Sequence, residues 1–130
     1  MCSIDDSELF AIYESRERKA RKPHTCAECR RDIAQGETYR LCKGMLPGFG
    51  WMQSKICAHC CVGADWLIQE CRGFSLDMVR EEIHEHAQEY QKTGLWRLVA
   101  GADRKWRRFD GSGLMAIPRL PPVTHMDARG

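Results

Sequence analysis

Cys26-Ala-Glu-Cys29 and, 27 residues further on, Cys57-Ala-His-Cys60 decide how this chain is read. A tight turn with cysteines three positions apart presents two thiolates to one ion. Two such turns supply the four ligands that Zn²⁺ takes in a tetrahedron. Four thiolates close the shell and leave no position for a reacting water, so the pairs predict a structural Zn²⁺ on Cys26, Cys29, Cys57 and Cys60. Buried free cysteines are the competing reading. The ligand set also has rivals at its edges, because His24, His59 or Cys61 can replace one of the four.

Outward from the pairs, the pattern predicts an α+β fold. Thr38 to Lys43 alternates, with Tyr39 and Leu41 facing one way and Arg40 and Cys42 the other, and Trp51 to Ile56 returns after the breaker Leu46-Pro-Gly-Phe-Gly50. The second pair then opens a helix through Trp66, Leu67 and Ile68, with Gly73 placed to end it. A helix N-terminus stabilises thiolates through its free N–H groups and dipole. Knuckle, β-hairpin and helix in that order make a zinc-stapled, treble-clef-like core. Arg30 stands where glycine often relaxes such a knuckle.

One or two further helices are expected to pack on this core. Ser75 suits an N-cap for residues 76–90, whose Leu76, Val79, Ile83 and Tyr90 form one apolar stripe. Asp77, Glu81, Glu82, Glu85 and Glu89 give that helix an acidic outer face. Gly94 separates it from a shorter helical piece, Leu95 to Ala100, and Asp110-Gly-Ser-Gly113 reads as a hairpin turn. The domain organisation is an N-terminal segment over 1–15, one zinc-binding domain over 16–117 and a loosely ordered Pro-rich tail over 118–130.

Composition supports a cross-linked fold. Leu, Ile, Val and Phe together make up under a fifth of the 130 residues, a lean core of the kind that metals commonly reinforce. The formal charge of +2 falls to about zero once four thiolates and one Zn²⁺ are counted, so attraction to nucleic acid must come from local patches. No secretory signal or long apolar run occurs, which predicts a cytoplasmic protein with no membrane partner and reduced thiols.

Catalytic constellations fail on spacing. His84-Glu85-His86 lacks the His-Glu-x-x-His spacing of a helical zinc protease, and residues 84 and 86 lie about 200° apart on a helix. The chain contains no Asn, and its hairpin no His, so the parts of a treble-clef metal-dependent nuclease are missing. The expectation is a protein without enzymatic activity or a small-molecule substrate. Two basic runs remain. Arg18, Lys19 and Arg21 lie in the first; Arg104, Lys105 and Arg108 flank Trp106 in the second. Cations around an aromatic suit a phosphate backbone with a stacked base, against the plainer reading of a solvated surface over a buried Trp106.

The stretches RKPHTCAECRRDIAQGETY (21–39 with its flanks), ICAHCCVGADWLIQEC (56–71) and WRRFDG (106–111) resemble a family of small uncharacterised bacteriophage and prophage proteins. On that resemblance Cys26, Cys29, Cys57 and Cys60 occupy the metal positions, and a phage context is implied. It implies an accessory factor that binds and inhibits a host protein complex of defence or nucleic-acid machinery, in the manner of an anti-CRISPR or anti-restriction protein. Its contact surface would be Glu81, Glu82, Glu85 and Glu89 or the exposed Trp51 hairpin. The alternative is a DNA- or RNA-binding module working through the basic runs.

Overall fold

The alternating residues Thr38 to Lys43 and the inward positions Val79 and Ile83 take their expected places. The computed structural model describes residues 12–46, 48–74, 78–90 and 93–122. In chain order these form β1 (Ile12–Lys19), β2 (His24–Thr25), β3 (Asp32–Ile33), β4 (Thr38–Leu46), β5 (Gly50–Cys57), α1 (Ala58–Cys71), α2 (Val79–Tyr90) and α3 (Thr93–Asp103). The strands make an antiparallel sheet of order β1-β4-β5 and a small β2-β3 ribbon. The result is a mixed α+β architecture.

Register decides which side of the larger sheet is covered. Arg18 faces Tyr39, Arg16 faces Leu41, Leu41 faces Lys55, and Lys43 faces Gln53. Because cross-strand partners share a face, these residues form one side of the sheet and Arg40, Cys42, Ser54 and Ile56 the other. The second side packs under α1, where Cys42, Ser54 and Ile56 are buried. Arg40 clasps Asp65 of α1 with both guanidinium nitrogens, the longer contact being 3.1 Å. This hydrogen bond to Asp65 raises the Arg40 pKa further against the opposing effect of burial.

Helices α2 and α3 close the core behind α1. Trp66, Leu67, Ile83 and Leu95 are fully buried there. Val79 and Ile83 lie inward as their spacing predicts; Leu76, Ser75 and Asp77 lie outside the described residues, as does the Tyr90 side chain. Glu28, in the turn of the first cysteine pair, accepts the Val79 N–H at 3.0 Å and so satisfies a free donor at the start of α2.

Several boundaries differ from expectation, each for a local reason. The basic run Arg16–Lys19 belongs to an edge strand paired along β4, so the division at residue 15 cuts through β1. α1 ends at Arg72, which takes the left-handed conformation (φ 68°) ahead of Gly73 and bonds the Ile68 carbonyl at 2.9 Å. Gly94 sits within α3. The Trp66 indole N–H, buried against the core, finds its acceptor in the Pro122 carbonyl at 3.0 Å. Residues 118–122 are thereby docked on the domain, and 123–130 lie outside the described residues. The turn at Asp110–Gly113 forms as expected, with Arg108 N–H on the Gly113 carbonyl and Met115 N–H on that of Trp106.

Candidate functional site

The β2-β3 ribbon brings Cys26 and Cys29 to the end of the sheet where β5 runs into α1. In the ribbon turn, Cys26 N–H bonds the Arg31 carbonyl at 2.9 Å and Arg30 N–H bonds the Cys26 carbonyl at 3.0 Å. Arg30 accordingly takes φ 68°, the conformation that made glycine the more usual occupant. Cys57 is the N-cap of α1, its sulfur accepting the Cys60 N–H, and Cys60 follows one turn later.

The four sulfurs of Cys26, Cys29, Cys57 and Cys60 all lie within 4.8 Å of one another, and all four residues are buried. A metal tetrahedron with bonds of ~2.3 Å has S···S edges of about 3.8 Å. Cys29 Sγ to Cys57 Sγ measures 3.9 Å. This group can hold one metal ion with every position filled by protein. Donors already converge on its sulfurs: Glu28 N–H and Cys57 N–H on Cys26 at 3.4 Å, and the Trp106 indole N–H on Cys60 at 3.2 Å. Such N–H···S contacts offset the negative charge of a thiolate cluster.

The rival ligands are engaged elsewhere. His59 Nε2 lies 2.6 Å from the Met115 carbonyl and so carries the proton, leaving Nδ1 to accept from Arg31 at 3.3 Å. Cys61 Sγ points to the Ile56 carbonyl, and His24 Nδ1 accepts from Lys55 Nζ at 3.3 Å. Beside the sulfurs sits a buried ion pair that no local pattern in the sequence announced. Arg31 bonds both carboxylate oxygens of Glu37, at 2.8 and 3.1 Å. Burial opposes its charge, yet the Glu37 hydrogen bond and the field of Cys57 outweigh that and raise its pKa.

This pair yields a prediction. Its hydrogen bond to Arg31 holds the Glu37 carboxyl below the ordinary range. A depressed carboxyl contributes stability that is complete above its unfolded pKa and is lost as pH falls through the folded value. Glu37→Gln is expected to cost about 2 kcal/mol at pH 7, by leaving the buried guanidinium short of its counter-charge. Denaturant titrations should show the gap between wild type and variant closing in acid, an effect common metal loss cannot produce.

The remaining expected site residues separate into distinct groups. Trp106 is a correction: at 2 % exposure it is a core residue that serves Cys60, and no base can stack on it. Glu82 is a second, being 5 % exposed and turned inward on α2 while Glu81, Glu85 and Glu89 remain on the surface. The helix buries His86 as well, edge-on to Trp66 at 5.0 Å, so His84 and His86 point apart and only His84 reaches the surface, against Trp96. Arg80 spans to Asp103 and Glu81.

The first basic run contributes to a different feature. Arg18, Lys19, Arg21 and Lys22 line a cleft of about 1000 Å³ over the uncovered face of the sheet, floored by Tyr39 and Leu41 and joined by Lys55. Among the described residues the lining includes no carboxylate. Lys22 closes the first basic run, Arg16 to Lys22, whereas Lys55 was missed in the sequence as a partner of this group; it is 33 residues from Lys22 and only the register of β5 unites them. Arg104, Lys105 and Arg108 are not part of the cleft; Arg104 lies over the Phe109 ring at 3.5 Å. The two basic runs therefore do not combine into one lining.

No helix among the described residues is long and apolar enough to cross a membrane. Comparison of the chain with family models, curated proteins and solved structures finds no match.

Proposed function

We propose that the protein is a non-catalytic nucleic-acid-binding module whose treble-clef-like core is stapled by a structural Zn²⁺ on Cys26, Cys29, Cys57 and Cys60. The observation that carries the binding reading is the carboxylate-free cationic cleft on the one side of the sheet that α1 leaves open. Three arginines elsewhere are matched, Arg31 to Glu37, Arg40 to Asp65 and Arg80 to Asp103. Among the described residues no carboxylate pairs with Arg18, Lys19, Arg21 or Lys22. Unmatched charge converging on a concavity favours a polyanion.

Zinc suits the site because four thiolates within 4.8 Å of one another favour it over harder ions that want oxygen. The metal's role is then to fix the ribbon turn against the start of α1, and it has no open position for substrate. The reading of an inhibitor of a host complex acting through the acidic face of α2 draws less support, since Glu82 is buried and Arg80 ties the adjacent surface to Asp103.

Charge reversal tests the proposal. Arg18→Glu combined with Lys55→Glu is expected to abolish binding to mixed-sequence DNA and RNA at ~50 mM salt, whereas Arg104→Glu with Arg108→Glu should leave it within about threefold. Binding lost only in the second pair would move the interface away from the cleft. Absence of binding by the zinc-loaded wild type would end the nucleic-acid reading.

A further inference from the structure

The uncovered sheet face continues past the cleft toward the tip of the β4-β5 hairpin. Met45 faces Trp51 across the hairpin, next to the pair of Lys43 and Gln53. Trp51 therefore lies on the same side as Gln53 and Lys55, with Arg16 and Arg18 on the neighbouring strands' partners of that side. Trp51 is 59 % exposed, and Phe49 beside it at the tip 80 %. The other large aromatic on this face, Tyr39, is buried against the His24 ring at 5.2 Å and has no free surface to offer.

Resting on the proposed nucleic-acid reading, the geometry points to a single-stranded ligand whose phosphates follow Arg18, Arg21, Lys22 and Lys55 and one of whose bases stacks on Trp51. Two features favour a single strand over a duplex. Proteins that read duplex DNA insert a helix or a two-stranded ribbon into a groove, so their contacting cations ride on a convex element. Here the cations line a concavity, walled by residues 19–22 and 35–36, that receives a chain instead of entering one. In addition, an exposed indole beyond a cationic track provides what an unpaired base needs and what a paired one cannot use, a free π-face. The spacing is compatible: Trp51 to Lys55 spans about 13 Å of extended strand. His24 Nδ1 accepts from Lys55 Nζ at 3.3 Å, a contact that steadies the ammonium without neutralising it.

The test uses the zinc-loaded full chain with fluorescein-labelled twelve-nucleotide dT and rU oligomers and a mixed-sequence duplex of the same length. Single strands are expected to bind more tightly than the duplex, and dT against rU separates a DNA ligand from an RNA ligand. With four phosphates neutralised, affinity for the single strand should fall about 50-fold between ~50 and ~200 mM salt. Trp51→Ala should weaken it about tenfold with the salt slope unchanged, because stacking releases no counterions. Arg21→Ala with Lys22→Ala should lower the slope by about 1.4 and leave the tryptophan fluorescence quenching on binding in place. Circular dichroism checks that each variant is folded. Duplex preferred over single strand, or Trp51→Ala without effect, overturns this inference while leaving a nucleic-acid-binding protein. No binding of any probe at ~50 mM salt overturns both.

Discussion

Cys57→Ser is expected to abolish binding of the proposed Zn²⁺ and, with it, the cooperative unfolding transition. Cys57 is fully buried where β5 becomes α1, with its sulfur among those of Cys26, Cys29 and Cys60. Serine is a good N-cap, so the hydroxyl can still accept the Cys60 N–H that the sulfur accepts now. The exchange therefore isolates the thiolate from the cap. Structural zinc contributes roughly 10–16 kcal/mol in small zinc-finger peptides. Domains of this size are stable by only about 5–15 kcal/mol in total. Losing even a large fraction of the metal's contribution leaves no margin, especially in a chain so lean in branched aliphatic residues. Elemental analysis of the purified variant and its circular dichroism melt are the measurements. Cys61→Ala is the control: Cys61 is equally buried but outside the sulfur cluster, so it should keep the metal and melt cooperatively. One equivalent of zinc and an intact melt in Cys57→Ser would remove the staple from the account.

The second large effect comes from Gly101→Ala, and helix propensity predicts its sign wrongly. Gly101 lies inside α3, where alanine would ordinarily gain about 1 kcal/mol over glycine. A Cβ there would sit 2.1 Å from Trp106 Cζ3 and 2.4 Å from Cε3, in space the indole ring already fills. The ring has nowhere to retreat. Trp106 itself is in a left-handed conformation (φ 59°), its N–H is on the Gly101 carbonyl at 2.7 Å, and its indole N–H is on Cys60. Expelling a buried tryptophan costs about 3–5 kcal/mol, so after the propensity gain the variant should be destabilised by roughly 3 kcal/mol. Chemical denaturation at saturating zinc measures this. Zinc transfer to a chromogenic chelator should also quicken, because Cys60 loses its indole donor. A Cβ at Gly94 would meet only Pro121, at 3.2 Å, and Gly94→Ala should change stability by less than 1 kcal/mol. Equal behaviour of the two variants would contradict the role given to Trp106.

The parts of this fold that could be read from the sequence are those whose physics is local. Metal-ligand spacing lies within four residues, so both cysteine pairs were legible, as were the alternation of β4 and the period that turns Val79 and Ile83 inward. What escaped was set by partners far along the chain. Trp106 reaches Cys60 across 46 positions. The sequence also offered it as a stacking platform beside the favoured buried reading, because a tryptophan among arginines looks alike in both settings. Glu82 and His86 stand three and seven positions after Val79, so the period that buries Val79 and Ile83 carries both inward, and their polar side chains disguised it. β1 was invisible as a strand for a different reason. At the border of a sheet, the described side chains from Glu14 to Lys19 are all exposed, so no apolar alternation is imposed on them. Of the residues from Glu14 to Lys19, all but Ser15 carry charge and read simply as that. The cleft followed from that omission, since one of its walls begins where β1 ends.

That border strand has a further consequence. Among the described residues nothing pairs with the outer side of β1. A bare row of amide and carbonyl groups invites another chain to add itself as the next strand, the first step toward aggregates. Glu14, Arg16, Glu17, Arg18 and Lys19 keep that row charged and hydrated, which makes it a poor template for zipping, and the cations among them also draw in an oppositely charged guest. Neutralising them strips away both functions at once, and light scattering should rise in the same variants whose binding falls.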